Sequence, residues 1–148
     1  MILIDFNDTI LPWVGRLNLE FTYLSNKKFR EQNINLSKEQ WVVLKYLYQK
    51  DGLIQNDLAF ITSRDKTSMT RLINNMEKNA LIRRENCEYD KRINLIFIED
   101  KGRQLFEKTL PIMQNLIDLL QKGIPRNTLE QTIETLKKLE TNLLKYTD

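Results

Sequence analysis

Between Lys66 and Asn79, the residues best equipped to touch another molecule share one side of a helix-length segment. At about 100° per residue, Thr67, Arg71, Asn74 and Lys78 project together, flanked by Ser68, Thr70 and Asn75, with Lys66 at the start. These side chains can bond base edges and phosphates: arginine matches guanine, asparagine matches adenine, and hydroxyls match either. Met69, Leu72, Ile73 and Met76 recur at i, i+3, i+4 and i+7 and form an apolar stripe opposite. Every amphipathic helix has a wet face, so this pattern alone equally describes solvated surface. A second group is Asp90-Lys91-Arg92. There Asp90 can hold the Arg92 guanidinium through a charge-assisted bond, while Lys91 suits a phosphate.

Charge singles out the same region. From Thr62 to Arg92 there are eight basic and five acidic residues, so this segment holds the whole net charge of +3. A local basic excess is what a phosphate-facing surface needs. Other chemistries are poorly served. The 148 residues include no histidine and one cysteine, Cys87. Neither a zinc site nor a Cys–His or Ser–His nucleophile can be assembled from them. With four glycines there is no Gly-rich phosphate loop. No catalytic residue, metal ligand or cofactor is therefore expected, and an enzyme is disfavoured. A lone cysteine and no readable export signal point to a cytoplasmic chain. The apolar runs are too short for a membrane partner.

The elements that must position these residues can be read in order. Ile10 to Gln32 predicts a long helix, with Leu17, Phe21 and Leu24 on one face and Pro12 near its start. Ser37-Lys-Glu-Gln40 has the capping-box pattern. The segment from Trp41 to Tyr48 is apolar almost all round, which predicts burial on most sides. Asp51-Gly52 should close that helix. A short helix, Gln55 to Ile61, is expected to turn Leu58, Ala59 and Ile61 inward. Asp65 is placed to cap the Lys66–Asn79 helix. Leu81–Arg84 and Ile93–Ile98 read as a two-stranded hairpin with a charged tip. Asp100 is placed to cap a helix reaching Lys122, with Leu105, Leu110, Met113, Leu116, Ile117 and Leu120 on its apolar side and a kink or restart at Pro111. After Gly123-Ile-Pro125, a last helix from Arg126 to Tyr146 carries Leu129, Ile133, Leu136, Leu139 and Leu143 in a narrow packing seam.

A helix, a short helix, a tight turn, a helix with a polar outer face and then a hairpin is the order of a winged helix-turn-helix. Leu36 to Gly102 also resembles the MarR family of bacterial regulators. The residues that carry the resemblance are Leu36-Ser37, Gln40-Trp41, Leu44, Leu58-Ala59, the run Asp65 to Ile73, Met76-Glu77-Lys78, Leu81 to Arg84, Asp90-Lys91-Arg92 and Lys101-Gly102. The chain departs from the family pattern at Ala80, where glycine is usual. Asn79 is therefore expected to supply the left-handed residue. Thr62 and Phe60 exchange the usual apolar and polar characters of their positions.

The resemblance implies a mostly α fold: a winged helix-turn-helix with a two-stranded wing, residues 36–102, and dimerisation helices at 1–33 and 103–148. It implies a homodimer binding double-stranded DNA at pseudo-palindromic promoter sites as a repressor, released by a small-molecule effector or by oxidation. The expected DNA contacts are Lys66, Thr67, Ser68, Thr70, Arg71, Asn74, Lys91 and Arg92, with Asp90 supporting the wing. Two alternatives stay open. One is a winged helix that docks on proteins; the other is a redox-switched regulator using Cys87, near which Arg83 and Arg84 are opposed by Glu85 and Glu88. Trp13, Phe21, Trp41 and Tyr46 read as core first and as pocket lining second.

Overall fold

The computed structural model describes residues 5–147. After a short 3-10 turn, Phe6–Asp8, come α1 (Leu11–Glu31) and α2 (Lys38–Gln49). The capping box at Ser37 is complete: Gln40 N–H donates to Ser37 Oγ at 3.2 Å and Ser37 N–H to Gln40 Oε1 at 3.0 Å. Only one side of α2 is fully buried, through Val43, Leu44 and Leu47. Trp41 and Tyr46 are half-buried and Tyr48 is exposed, so burial on most sides is not what the helix shows.

The segment after α2 departs from expectation. Lys50 closes the helix in an extended conformation. Gly52, at φ 70°, instead turns the chain into a strand, β1 (Leu53–Ile54). Asp51 fixes that turn, its carboxylate accepting from the Gly52 amide and, at 2.8 Å, from the Ile98 amide. β1 pairs antiparallel with β3 (Asn94–Ile98), which pairs with β2 (Ile82–Asn86). The wing hairpin is thus two strands of a three-stranded sheet ordered β1-β3-β2.

Between β1 and β2 lie α3 (Gln55–Ile61) and α4 (Lys66–Lys78). Leu58 and Ala59 point inward, but Ile61 is exposed. Met69, Ile73 and Met76 of α4 are fully inaccessible, as are Phe29, Leu44, Leu47, Leu58 and Ile96. Burial of each such side chain contributes roughly 1.5–3 kcal/mol. This core leaves the opposite side of α4 to solvent.

The exit from α4 corrects a sequence expectation. Asn79 keeps φ −88°, and Ala80 itself takes the left-handed conformation at φ 57°. The Ala80 amide donates to Glu77 C=O and the Leu81 amide to Met76 C=O, the paired bonds of a Schellman closure. That pattern puts the left-handed residue one position beyond the cap, which is Ala80. α5 (Asp100–Gln121) begins at Asp100, so Asp100 is its first helical residue rather than its cap. Its carboxylate still lies near the positive end of the helix. α5 runs through Pro111 without starting a new segment. Gly102 must be glycine, because a Cβ there would lie 2.1 Å from the Leu81 carbonyl oxygen.

The chain divides into two compact units between Ile112 and Met113. The second holds the end of α5, a turn with Gly123 at φ 78°, and α6 (Arg126–Leu144). Ile133, Leu136, Leu139 and Leu143 of the α6 stripe are all exposed. Leu110 and Leu120 of α5 are exposed too. Among the described residues, no helix is long and apolar enough to cross a membrane.

A left-handed alanine costs about 1–2 kcal/mol, while glycine adds about 0.5–1 kcal/mol of chain entropy to be lost on folding. Ala80→Gly is therefore expected to stabilise the protein by about 0.5–1 kcal/mol. A rise of a few degrees in Tm by calorimetry is the expected reading, and a fall would show that Ala80 is not strained.

Candidate nucleic-acid interface

The turn between α3 and α4 fixes where the polar face begins. α3 closes like α4, with Ser63 left-handed at φ 54° and the Arg64 amide donating to Ala59 C=O at 2.8 Å. Two residues later Asp65 caps α4, its carboxylate accepting from the Ser68 amide at 2.8 Å. The cap satisfies one of the free donors of the first turn. Thr62 turns its hydroxyl onto Leu58 C=O, which lets a polar residue sit at the end of α3.

Lys66, Thr67, Thr70, Arg71, Asn74 and Lys78 are exposed on α4, and Ser68 is half-buried. The helix thus presents the sequence-predicted residues on one accessible surface, but not equally free. Among the described residues, Lys66, Thr67 and Arg71 make no side-chain hydrogen bond. Ser68 Oγ accepts from Arg64 Nη1 at 2.6 Å. The Thr70 hydroxyl donates to Lys66 C=O and accepts from Gln55 Nε2 on α3. Asn74 Oδ1 accepts from Arg84 Nη2 on β2, and Arg84 also donates to Glu77 Oε1 at 3.2 Å. Sequence reasoning did not place Gln55, Arg64 or Arg84 in this surface. Each acts from a neighbouring element, which helical periodicity within α4 cannot reveal.

At the wing tip, Asp90 Oδ1 accepts from both the Arg92 amide at 2.9 Å and Arg92 Nε at 3.2 Å. The Arg92 side chain is nevertheless 91% exposed. One carboxylate thus orients a guanidinium whose terminal amines remain in water. Lys91 is exposed beside it, and Tyr89 is 95% exposed. Cys87 is half-buried. At the wing base, Arg83 donates to Glu85 at 2.8 Å and Glu99 at 3.2 Å and lies 4.5 Å from the Phe97 ring centroid. The Glu85 bond, then the Glu99 bond, raises its pKa above the ordinary arginine value. Arg83 is thus paired within the protein.

Two cavities flank the α3–α4 turn. One, of about 400 Å³, runs along α4 between Gln40, Arg64, Ser68, Arg71 and Asn75. The other, of about 740 Å³, lies among Val14, Asn18, Lys38, Glu39, Val42 and Arg64. Trp13, Phe21, Trp41 and Tyr46 line neither of these two. Nor are they fully buried core: Trp13 is exposed, and the other three are half-buried.

A helix with a donor-rich outer face, set by a tight turn and followed by a wing bearing a tethered arginine, is the geometry of a winged helix-turn-helix. The model of the MarR family matches residues 36–93, from the start of α2 to the wing tip. The HTH-type transcriptional regulator YybA of Bacillus subtilis (strain 168) is 28% identical over 97 residues, or 66% of this chain and 63% of that protein. Among solved structures, the S. aureus MepR–DNA complex superposes with a TM-score of 0.80 at 27% identity, covering 91% of this chain and 98% of that one. A MarR family transcriptional regulator from Listeria monocytogenes complexed with 26mer DNA gives 0.82 at 29% identity, covering 92% and 89%. The matched segment takes in the whole α3–turn–α4 unit and ends one residue beyond Arg92.

Exposed ion pairs contribute little to stability. Asp90→Ala is expected to change stability by less than about 0.5 kcal/mol while speeding hydrogen exchange at the Arg92 amide. An unchanged exchange rate would show that Asp90 does not hold the wing tip.

Proposed function

We propose that this protein is a sequence-specific, double-stranded-DNA-binding transcriptional regulator acting as a homodimer. The observation that carries the reading is the α4 surface, where Arg71, Thr67 and Lys66 are exposed and unengaged while Met69, Ile73 and Met76 anchor the other side in the core. α4 is the major-groove reader, and Arg71 its best-placed base contact. Lys66, Thr67 and Ser68, in its first turn, lie where recognition helices meet bases and phosphates. Arg92 reaches the minor groove and Lys91 a phosphate.

The homodimer reading rests on apolar surface that a monomer leaves wet. Leu11, Trp13 and Leu17 of α1 and Ile133, Leu136, Leu139 and Leu143 of α6 are all exposed. We assign residues 1–33 and 103–148 to the dimer layer and 36–102 to the DNA-reading lobe. A dimer with recognition helices about 34–36 Å apart matches successive major grooves and therefore reads a pseudo-palindrome. The MepR and Listeria structures, solved with DNA, support the DNA-binding part of this reading by similarity. Repression, and release by an effector that favours another lobe spacing, complete the proposal. The cavity of about 740 Å³, where Lys38 and Arg64 are balanced by Glu39 and Asp65, offers such an effector a polar site.

Selection of binding sites from random duplexes, followed by titration at several salt concentrations, tests this reading. A pseudo-palindrome bound by one dimer with steep salt dependence is expected; no enrichment would overturn sequence-specific binding. Arg71→Ala should cost about 1–3 kcal/mol and relax sequence preference. Lys91→Ala should weaken all sequences alike and reduce the salt slope by about one. Unchanged binding in both variants would place the interface elsewhere.

A further inference from the structure

Asn74 invites reading as an adenine contact, because an asparagine amide can donate to adenine N7 while accepting from N6. Its surroundings say otherwise. Arg84, on β2, donates to Asn74 Oδ1 and to Glu77 Oε1, two acceptors three residues apart on α4. A guanidinium carries donors only, so the amide atom facing it must be the oxygen, which fixes the amide's orientation. The Arg84 side chain is only 21% exposed and is held at two points. Asn74 itself is exposed. What remains for an outside partner is the Nδ2 group with its two N–H donors.

Adenine would have to bring its own N6 donor up to an oxygen already engaged by a cation. Like-signed partial charges then meet, and the second bond of the adenine pair is disfavoured. Guanine presents two acceptors, N7 and O6, on the same edge, and a phosphate oxygen is likewise an acceptor.

We infer that Asn74 contacts a hydrogen-bond acceptor of the DNA, a guanine N7/O6 edge or a phosphate oxygen, and that Arg84 is the positioning residue that denies it adenine. The inference rests on the DNA-binding reading above. It assigns Arg84, which sequence periodicity leaves on a wing strand, to the specificity of α4.

The test uses the full-length protein and its selected site. Each guanine is replaced in turn by 7-deazaguanine, and each phosphate by methylphosphonate. Asn74→Ala, at an exposed helix position, should lower affinity roughly tenfold and lose sensitivity to one of those replacements. Lost sensitivity to a 7-deazaguanine identifies a base contact, and lost sensitivity to a methylphosphonate a phosphate contact; either supports the inference. For a base contact, Arg84→Lys keeps a donor beside Oδ1 and should preserve the guanine preference. Arg84→Met frees the oxygen and should admit adenine at that position. If Asn74→Ala binds within twofold of the parent, or loses a preference for adenine, the inference is overturned. If the parent protein enriches no site, the regulator reading itself fails, an outcome distinct from either.

Discussion

The carbonyl and amide of Leu81 join three elements on which the winged helix-turn-helix depends. The Leu81 amide closes α4 by donating to Met76 C=O at 3.0 Å, and its carbonyl accepts from the Glu99 amide, also at 3.0 Å. β2 starts one residue later. The same carbonyl faces Gly102 so closely that no larger residue could stand there. Lys101 Nζ adds a bond to Asn79 C=O at 2.9 Å, neutralising the negative end of α4. The end of α4, the root of the wing and the start of α5 are therefore fixed within a few ångströms. This geometry explains why a non-glycine residue is held left-handed at Ala80. The surrounding bonds over-determine the conformation and offset its cost.

Three helices of this glycine-poor chain close in the same way, at Asn33, Ser63 and Ala80, each with φ between 54° and 57°. In each case the next amide reaches back to the last turn: Ile34 to Phe29, Arg64 to Ala59 and Leu81 to Met76. Asparagine tolerates this conformation through its short polar side chain, whereas serine and alanine are less common there. The chain accepts local strain in exchange for sharply defined helix ends, and the turn before α4 is one of them. With its start fixed by the Asp65 cap and its end fixed by Leu81, α4 cannot easily slip along its axis.

Much of this was legible in the sequence because the signals are local. The Ser37 capping box, the Asp65 cap, the α4 stripe and the Asp90–Arg92 tether each lie within a few residues, and backbone geometry alone relates such neighbours. The misreadings share the opposite property. β1 is two residues long, too short for any periodicity, and exists because Asp51 reaches 47 positions ahead to the Ile98 amide. Asp100 looks like a cap, but the pairing of Glu99 with Leu81 sets where α5 begins. The exposure of Ile61 and Tyr48 likewise depends on which surfaces neighbouring elements cover. In the candidate site, residue types on α4 were readable, but their freedom was not. Whether an asparagine offers its oxygen or its amine is decided by an arginine ten residues away on a strand.

Those tertiary bonds also constrain how a regulator of this build can switch. Gln55 ties α3 to α4 through Thr70, Arg84 ties β2 to α4 through Asn74 and Glu77, and Gln40 ties α2 to α4 through Asn75 at 2.7 Å. Moving α4 relative to its neighbours would break several bonds at once and disturb a stripe of fully buried methionine and isoleucine. Packed interfaces of this kind respond by discrete shifts rather than continuous deformation. The lower-cost motion carries α2, α3, α4, the wing and the start of α5 together as one body, leaving the outer face of α4 intact. Under the proposed function, an effector then acts on the position of the lobe, and base preference stays the property of α4.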